Sequence, residues 1–162
     1  MNTLRVVNNF LTSIAMTLAM CIIFIMVAAL TLSASTRFIT GSGFAWFIEL
    51  PPVLVSWLVF PLLGPLLKKG QHIQVDFLTP LLSGKSKKIL NLSINLIALR
   101  SAGIFFKAGM DATQLYYNLG PMLDIEISVP IWWMFLAFPV GFFILGLIAL
   151  ELLIDNFLDL YK

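Results

Sequence analysis

Between Arg5 and Arg37 the chain carries no charged residue. An α-helix needs about 20 consecutive apolar residues to cross the roughly 30 Å hydrocarbon layer of a bilayer. Residues 10–32 supply them, interrupted only by Thr and Ser. Of the 162 residues, 60% are hydrophobic and 11% charged, against roughly 45–50% and about 25% in soluble domains. A chain this small cannot bury that excess in a core of its own, so the medium around it has to be lipid. A cleaved secretory leader is the rival reading of the first run, because Arg5 precedes it and Leu32-Ser33-Ala34 resembles a cleavage site. Leader cores run to about 7–15 residues. This run is longer, and a retained helix is expected.

Three more apolar runs follow, giving spans at about 10–32, 50–67, 88–110 and 130–151 in one membrane domain, 1–162. The expected fold is an all-α integral membrane protein with four transmembrane helices and a short interfacial (arm) helix. That arm is placed at about 36–48, where Gly41 and Gly43 punctuate the chain and Phe44, Trp46 and Phe47 precede Glu49; aromatic rings favour the headgroup level. In the second run Pro51 and Pro52 suit a first helical turn, where a missing N–H costs little. Pro61 and Pro65, with Gly64 between them, should bend or break its last turns. Trp132 and Trp133 form an interfacial anchor at the entrance of the fourth run, which Pro130 opens. Pro139 and Gly141 mark a kink or a close helix contact within it.

The loop 68–87 sets the orientation. Lys68, Lys69, Lys85, Lys87 and Lys88 cluster there against one acid, Asp76. With Arg5 and Lys162 that side holds seven basic residues; the other has Arg37 and, at a helix edge, Lys107. Lys and Arg in short loops mark the cytoplasmic face, so both termini and this loop are expected inside. Asp76 is placed to cap a short interfacial segment at 77–82, and Ser86 to cap the third helix.

That third helix is the least apolar. Arg100, Lys107, Asp111, Gln114 and Asn118 fall in a narrow arc at 100° per residue. Counted from Lys88, Arg100 lies roughly 18 Å along the helix, past the middle of a ~30 Å core. A charge at that depth faces protein, water or a counter-ion. Either Arg100 snorkels or pairs with a neighbour such as Glu49, or the stripe packs on a partner subunit.

Nothing points to catalysis. The one histidine, His72, falls in a loop, so no bis-histidine haem can be built, and Cys21 stands alone. No metal, cofactor or nucleic-acid partner is expected. A small proton-coupled exporter also has four spans but needs a carboxylate in its first helix, where none exists; a haem or quinone anchor needs more histidines. The composition therefore favours a subunit over a self-sufficient transporter.

The run Trp57-Leu58-Val59-Phe60, followed by Lys68-Lys69-Gly70-Gln71-His72-Ile73-Gln74-Val75-Asp76-Phe77-Leu78, resembles the small membrane subunit (DctQ-like) of tripartite ATP-independent periplasmic (TRAP) transporters. So does the closing pattern Pro130, Trp133, Phe135, Pro139, Gly141, with Glu151 as the acid that follows. Trp46 and Glu49-Leu50 match a W-x-E-E-L in which Ile48 replaces the first acid, and Pro51-Pro52 and Pro61 depart from the pattern. The resemblance implies a scaffold that holds a large membrane subunit, which itself carries the substrate and sodium sites and moves elevator-fashion. It also implies a periplasmic binding protein delivering an organic acid such as a C4-dicarboxylate or a sialic acid, with this chain in the bacterial inner membrane. Under it, Asp76 caps the loop helix while Lys69 and His72 fix the loop against headgroups or the partner, with Gly70 and Ile73 as further loop candidates; purely local folding is the rival role.

Overall fold

The computed structural model describes residues 2–42, 46–69, 85–120, 122–123 and 129–160. Gly70, His72, Ile73, Asp76 and the segment 77–82 expected after them lie outside the described residues, as do Asp124 and Glu126.

Helix α1 runs over Asn2–Thr40. Neither Gly nor Pro interrupts it, and at 1.5 Å per residue it is about 58 Å long, nearly twice a bilayer core. Three of its threonines are satisfied within the helix. The hydroxyls of Thr31, Thr36 and Thr40 donate to the carbonyls of Val27, Leu32 and Thr36, one turn back. The helix ends where Gly41 adopts φ 74° and its N–H bonds the Arg37 carbonyl at 3.0 Å, the left-handed cap that glycine makes cheaply. Residues 36–40, assigned from sequence to an interfacial arm, are thus the last turn of α1. No helix-breaking residue precedes Gly41, and helical order simply propagates to it.

Helix α2, Trp46–Lys68, contains Pro51, Pro52, Pro61 and Pro65 and remains one helix. It starts a turn earlier than Pro51 and Pro52 suggested, and Pro61 and Pro65 do not end it. Each proline removes one backbone donor, which neighbouring helices can compensate in lipid. Pro51, Pro61, Gly64 and Pro65 are buried, so their packing opposes the break that the sequence alone suggests.

Helix α3, Lys85–Leu119, ends at Gly120, φ 64°, whose N–H bonds the Tyr116 carbonyl at 3.1 Å. Two two-residue strands, β1 (Met122–Leu123) and β2 (Val129–Pro130), pair antiparallel, with Met122 opposite Pro130. This two-residue ladder lies in the connection between α3 and α4 and leaves the all-α architecture as expected. Pro130 sits in β2 instead of opening the fourth helix. Helix α4, Trp132–Leu160, begins after a turn in which the Met134 N–H bonds the Ile131 carbonyl.

The helices stand side by side in the order α1, α2, α4, α3. Helix α4 packs on α2 along one flank and α3 along the other, α1 leans mainly on α2, and α3 touches neither α1 nor α2. The buried apolar residues follow this row: Ala15, Ala19, Ile22 and Ala29 on α1, Val53 on α2, Ala102 on α3, and Ala137, Ile144, Leu145, Ile148 and Ala149 on α4. Small residues dominate because close backbone approach, not a hydrophobic drive, holds helices together in lipid. Large side chains such as Phe24, at 76% exposure, point outward on both faces of the row. Four helices, each long and apolar enough to span, arranged in one layer, make this a multi-pass integral membrane protein.

Candidate partner interface

At one end of the row, α1, α2 and α4 are tied by ionic and amide groups. The Lys68 Nζ lies 3.2 Å from Glu151 Oε1 and donates to Asn9 Oδ1 at 2.8 Å. Glu151 is 6% exposed, and its Oε2 accepts from Asn8 Nδ2 at 2.6 Å. The same amide nitrogen donates to the Leu147 carbonyl at 3.1 Å. One turn outward, Arg5 meets Asp155 at 2.6 Å. A carboxylate as buried as Glu151 is tolerable only when paired and hydrogen-bonded, and here two donors, Asn8 on α1 and Lys68 on α2, make three hydrogen bonds to it. The Arg5–Asp155 pair also puts the beginning of α1 and the end of α4 on one side, together with Lys68.

The opposite end is aromatic. Trp57 Nε1 donates to the Trp133 carbonyl at 3.1 Å, with the two indoles 5.4 Å apart. Tyr116 stacks on Phe135 at 4.2 Å, and Tyr117 meets Trp132 edge-on. Such rings belong at the headgroup level. Trp57→Phe removes the hydrogen bond but keeps the ring, and should cost about 1 kcal/mol in thermal unfolding followed in detergent.

Between the two ends the helices approach most closely. A Cβ on Gly141 would collide with the backbone of Phe60, so α2 and α4 can touch only because no side chain stands there. Pro139 lies against Gly109 of α3, where an added Cβ would meet its ring at 2.9 Å. The Pro139–Gly141 segment, read from sequence as a kink or a contact, is a contact on both flanks of α4.

These contacts fix the register of α3 and hence the depth of its charges. Gly109 lies beside Pro139, Phe105 stacks on Phe142 at 5.0 Å, and Ala102 faces Gly146. The two helices run antiparallel, so Arg100 comes level with Ile148, within a turn of Glu151. Trp132 and Glu151 are about 28 Å apart along α4 at 1.5 Å per residue, close to one hydrocarbon thickness. Arg100 therefore sits near the charged boundary, where a long side chain can snorkel out. Measured between the Trp132 and Glu151 levels, Arg100 lies toward the charged end, whereas counting from Lys88 places it deeper, because the first turns of α3 run alongside the tail of α4 past Glu151. Lys107 is the residue at the middle, level with Gly141, and Asp111 stands one turn farther toward the aromatic end.

Arg100, Lys107, Asp111, Gln114 and Asn118 are all exposed. Ala102, Gly109 and Tyr116, which meet α4, lie on the opposite face of the helix. Among the described residues none of the five makes an ion pair or side-chain hydrogen bond. Glu49 stands in the first turn of α2 at the aromatic end, and α4 separates that helix from α3 and Arg100. Of Trp46 and Glu49 the structure describes only the backbone of the first turn of α2. Lys69 is exposed, its N–H bonded to the Pro65 carbonyl.

The family of the DctQ component of tripartite ATP-independent periplasmic transporters matches residues 26–159. The chain belongs to this DctQ family. It is accordingly a small component of a TRAP transporter, and the family is one of transporter parts, not of enzymes. No curated protein matches the sequence closely enough to count as a relative. A tripartite transporter implies partner subunits, so the unpartnered polar face of α3 belongs to a DctQ chain that has somewhere to dock. Sequence reading found that stripe and Glu151, but missed Arg5, Asn8, Asn9 and Asp155. Their signal was topological: four alternating spans bring the start of the first helix level with the ends of the second and fourth.

Proposed function

We propose that this DctQ chain is the fixed scaffold of its TRAP transporter. It holds and orients the large, elevator-type membrane subunit in the bacterial inner membrane while that subunit imports an organic acid with sodium. The observation that supports this best is the single row of helices. Two grooves among the described residues, one lined by Leu30, Ser33, Ala34, Arg37 and Phe38 and one by Phe10, Ser13, Ile14, Thr17, Leu18 and Cys21, are each walled by α1 alone. One helix cannot surround a carboxylate solute, whereas a cross-linked row of helices makes a rigid wall. The ties at the charged end stiffen it where three helices finish. A soluble receptor delivers the acid to the outer face, and the loop with Lys69, Gly70, His72, Ile73 and Asp76 seats the chain at a constant depth on the cytoplasmic side.

Affinity capture of the tagged chain, co-expressed with the large subunit of its transporter, tests the scaffold role. Stoichiometric recovery of the large subunit is expected, and recovery no better than from an untagged control would contradict it. For the orientation, single cysteines at Ser83 and Ser128, in a chain whose Cys21 has been replaced, should label with a membrane-impermeant maleimide from inside and outside respectively. External labelling of Ser83 would reverse the topology.

A further inference from the structure

One charge of α3, Lys107, lies where lipid tolerates it least, with Asp111 one turn away. Lys107 is level with Gly141, roughly 14 Å from both the Trp132 and the Glu151 levels at 1.5 Å per residue. That is farther than a lysine side chain reaches, so Lys107 cannot snorkel to either boundary as Arg100 can. Asp111, on the same exposed stripe, is about 8 Å from the aromatic boundary by the same rise. A charged side chain at the centre of a lipid-facing helix costs about 2.5–3.5 kcal/mol on insertion scales. An ion pair between Lys107 and Asp111 would neutralise the charge but leave both polar heads in hydrocarbon. Their position therefore calls for a protein surface of matching polarity.

Resting on the scaffold reading above, we propose that the outer face of α3, centred on Lys107 and Asp111, is where this chain docks on the large membrane subunit. The docked element is a transmembrane helix that presents a carboxylate level with Lys107 and a cationic or hydroxyl donor level with Asp111. Charge complementarity selects this occupant over a second copy of the chain. Two copies related by an axis along the membrane normal would set Lys107 against Lys107, Asp111 against Asp111 and Arg100 against Arg100, and like charges brought together weaken an interface. A soluble binding protein cannot reach mid-depth. Ile97, Ile104 and Leu115 along one edge of the stripe, at 64%, 68% and 55% exposure, and Met110 along the other, at 47%, supply an apolar rim for the polar centre once the helix is seated.

The test uses the full chain co-expressed with the large subunit. Lys107→Leu/Asp111→Leu removes both charges without harming insertion, so the variant chain alone should reach the membrane at undiminished yield. Its recovery of the large subunit should fall by about tenfold or more, the scale of losing a buried charge pair. A photo-crosslinking residue at Ile104 or Gln114 should join the chain to the large subunit, and one at Phe24 on α1 should not. Undiminished recovery by the double-leucine variant, with silent probes at 104 and 114, would overturn the docking face while leaving the scaffold reading standing. Crosslinks at 104 and 114 to a second copy of this chain would overturn it in favour of self-association. Failure of the unaltered chain to retain the large subunit would overturn both.

Discussion

Replacing Glu151 by leucine should destabilise the chain by about 3 kcal/mol, at the lower end of the cost of breaking a buried ion pair. The carboxylate is 6% exposed and takes hydrogen bonds from Asn8 and Lys68. Its loss strands the Lys68 ammonium, which keeps 25% side-chain exposure and its contact with Asn9; that residual exposure holds the cost down. Lys68→Leu should be worse tolerated than its exposure suggests, because it leaves Glu151 with Asn8 alone. Exchanging the two, Lys68→Glu with Glu151→Lys, should restore more than half of the loss. Asn8 Oδ1 is buried without a partner, so the amide can turn that oxygen toward a lysine at 151. Thermal unfolding of the purified chain in detergent measures all three. Equal stability of the wild type and Glu151→Leu would mean that the cluster does not hold the helix ends together.

Gly141 carries the second large effect. Its missing side chain lets the Phe60 backbone of α2 touch α4. An alanine there overpacks the contact and should cost about 1–3 kcal/mol. A leucine has no space to occupy and should pry α2 away from α4, separating the Trp57–Trp133 pair and altering the tryptophan emission. Gly103 is the control, because nothing lies within 4 Å of an added Cβ. Gly103→Ala should stabilise α3 by up to about 1 kcal/mol through helix propensity alone. If the two alanine variants behave alike, the close approach at Gly141 is not a determinant of the packing.

The four spans were legible in the sequence because a run without charge, as between Arg5 and Arg37, has one low-energy state in lipid. The family was legible too, from the segment around Lys68–Leu78 and from the Pro130–Gly141 pattern. What escaped depended on neighbours. The prolines of α2 argue for a broken helix in isolation, and only burial of Pro51, Pro61 and Pro65 explains why it persists. The depth of α3 could not be read by counting from Lys88, since helix length exceeds bilayer thickness and the vertical register comes from Gly109 against Pro139 and Ala102 against Gly146. The polar stripe itself was plain from its 100° spacing; which of its charges lies deepest was not. Asn8 carried no signal in the sequence because its partners, Leu147 and Glu151, are almost a full chain length away.

The central claim is that this chain is a fixed wall on which another subunit moves. Sodium-driven uptake of an organic acid into proteoliposomes tests it most directly, with the cognate binding protein present and the large subunit reconstituted with or without this chain. The account predicts uptake only when the chain is included, and a similar loss for the Lys107→Leu/Asp111→Leu variant. Undiminished uptake by the large subunit alone would contradict it.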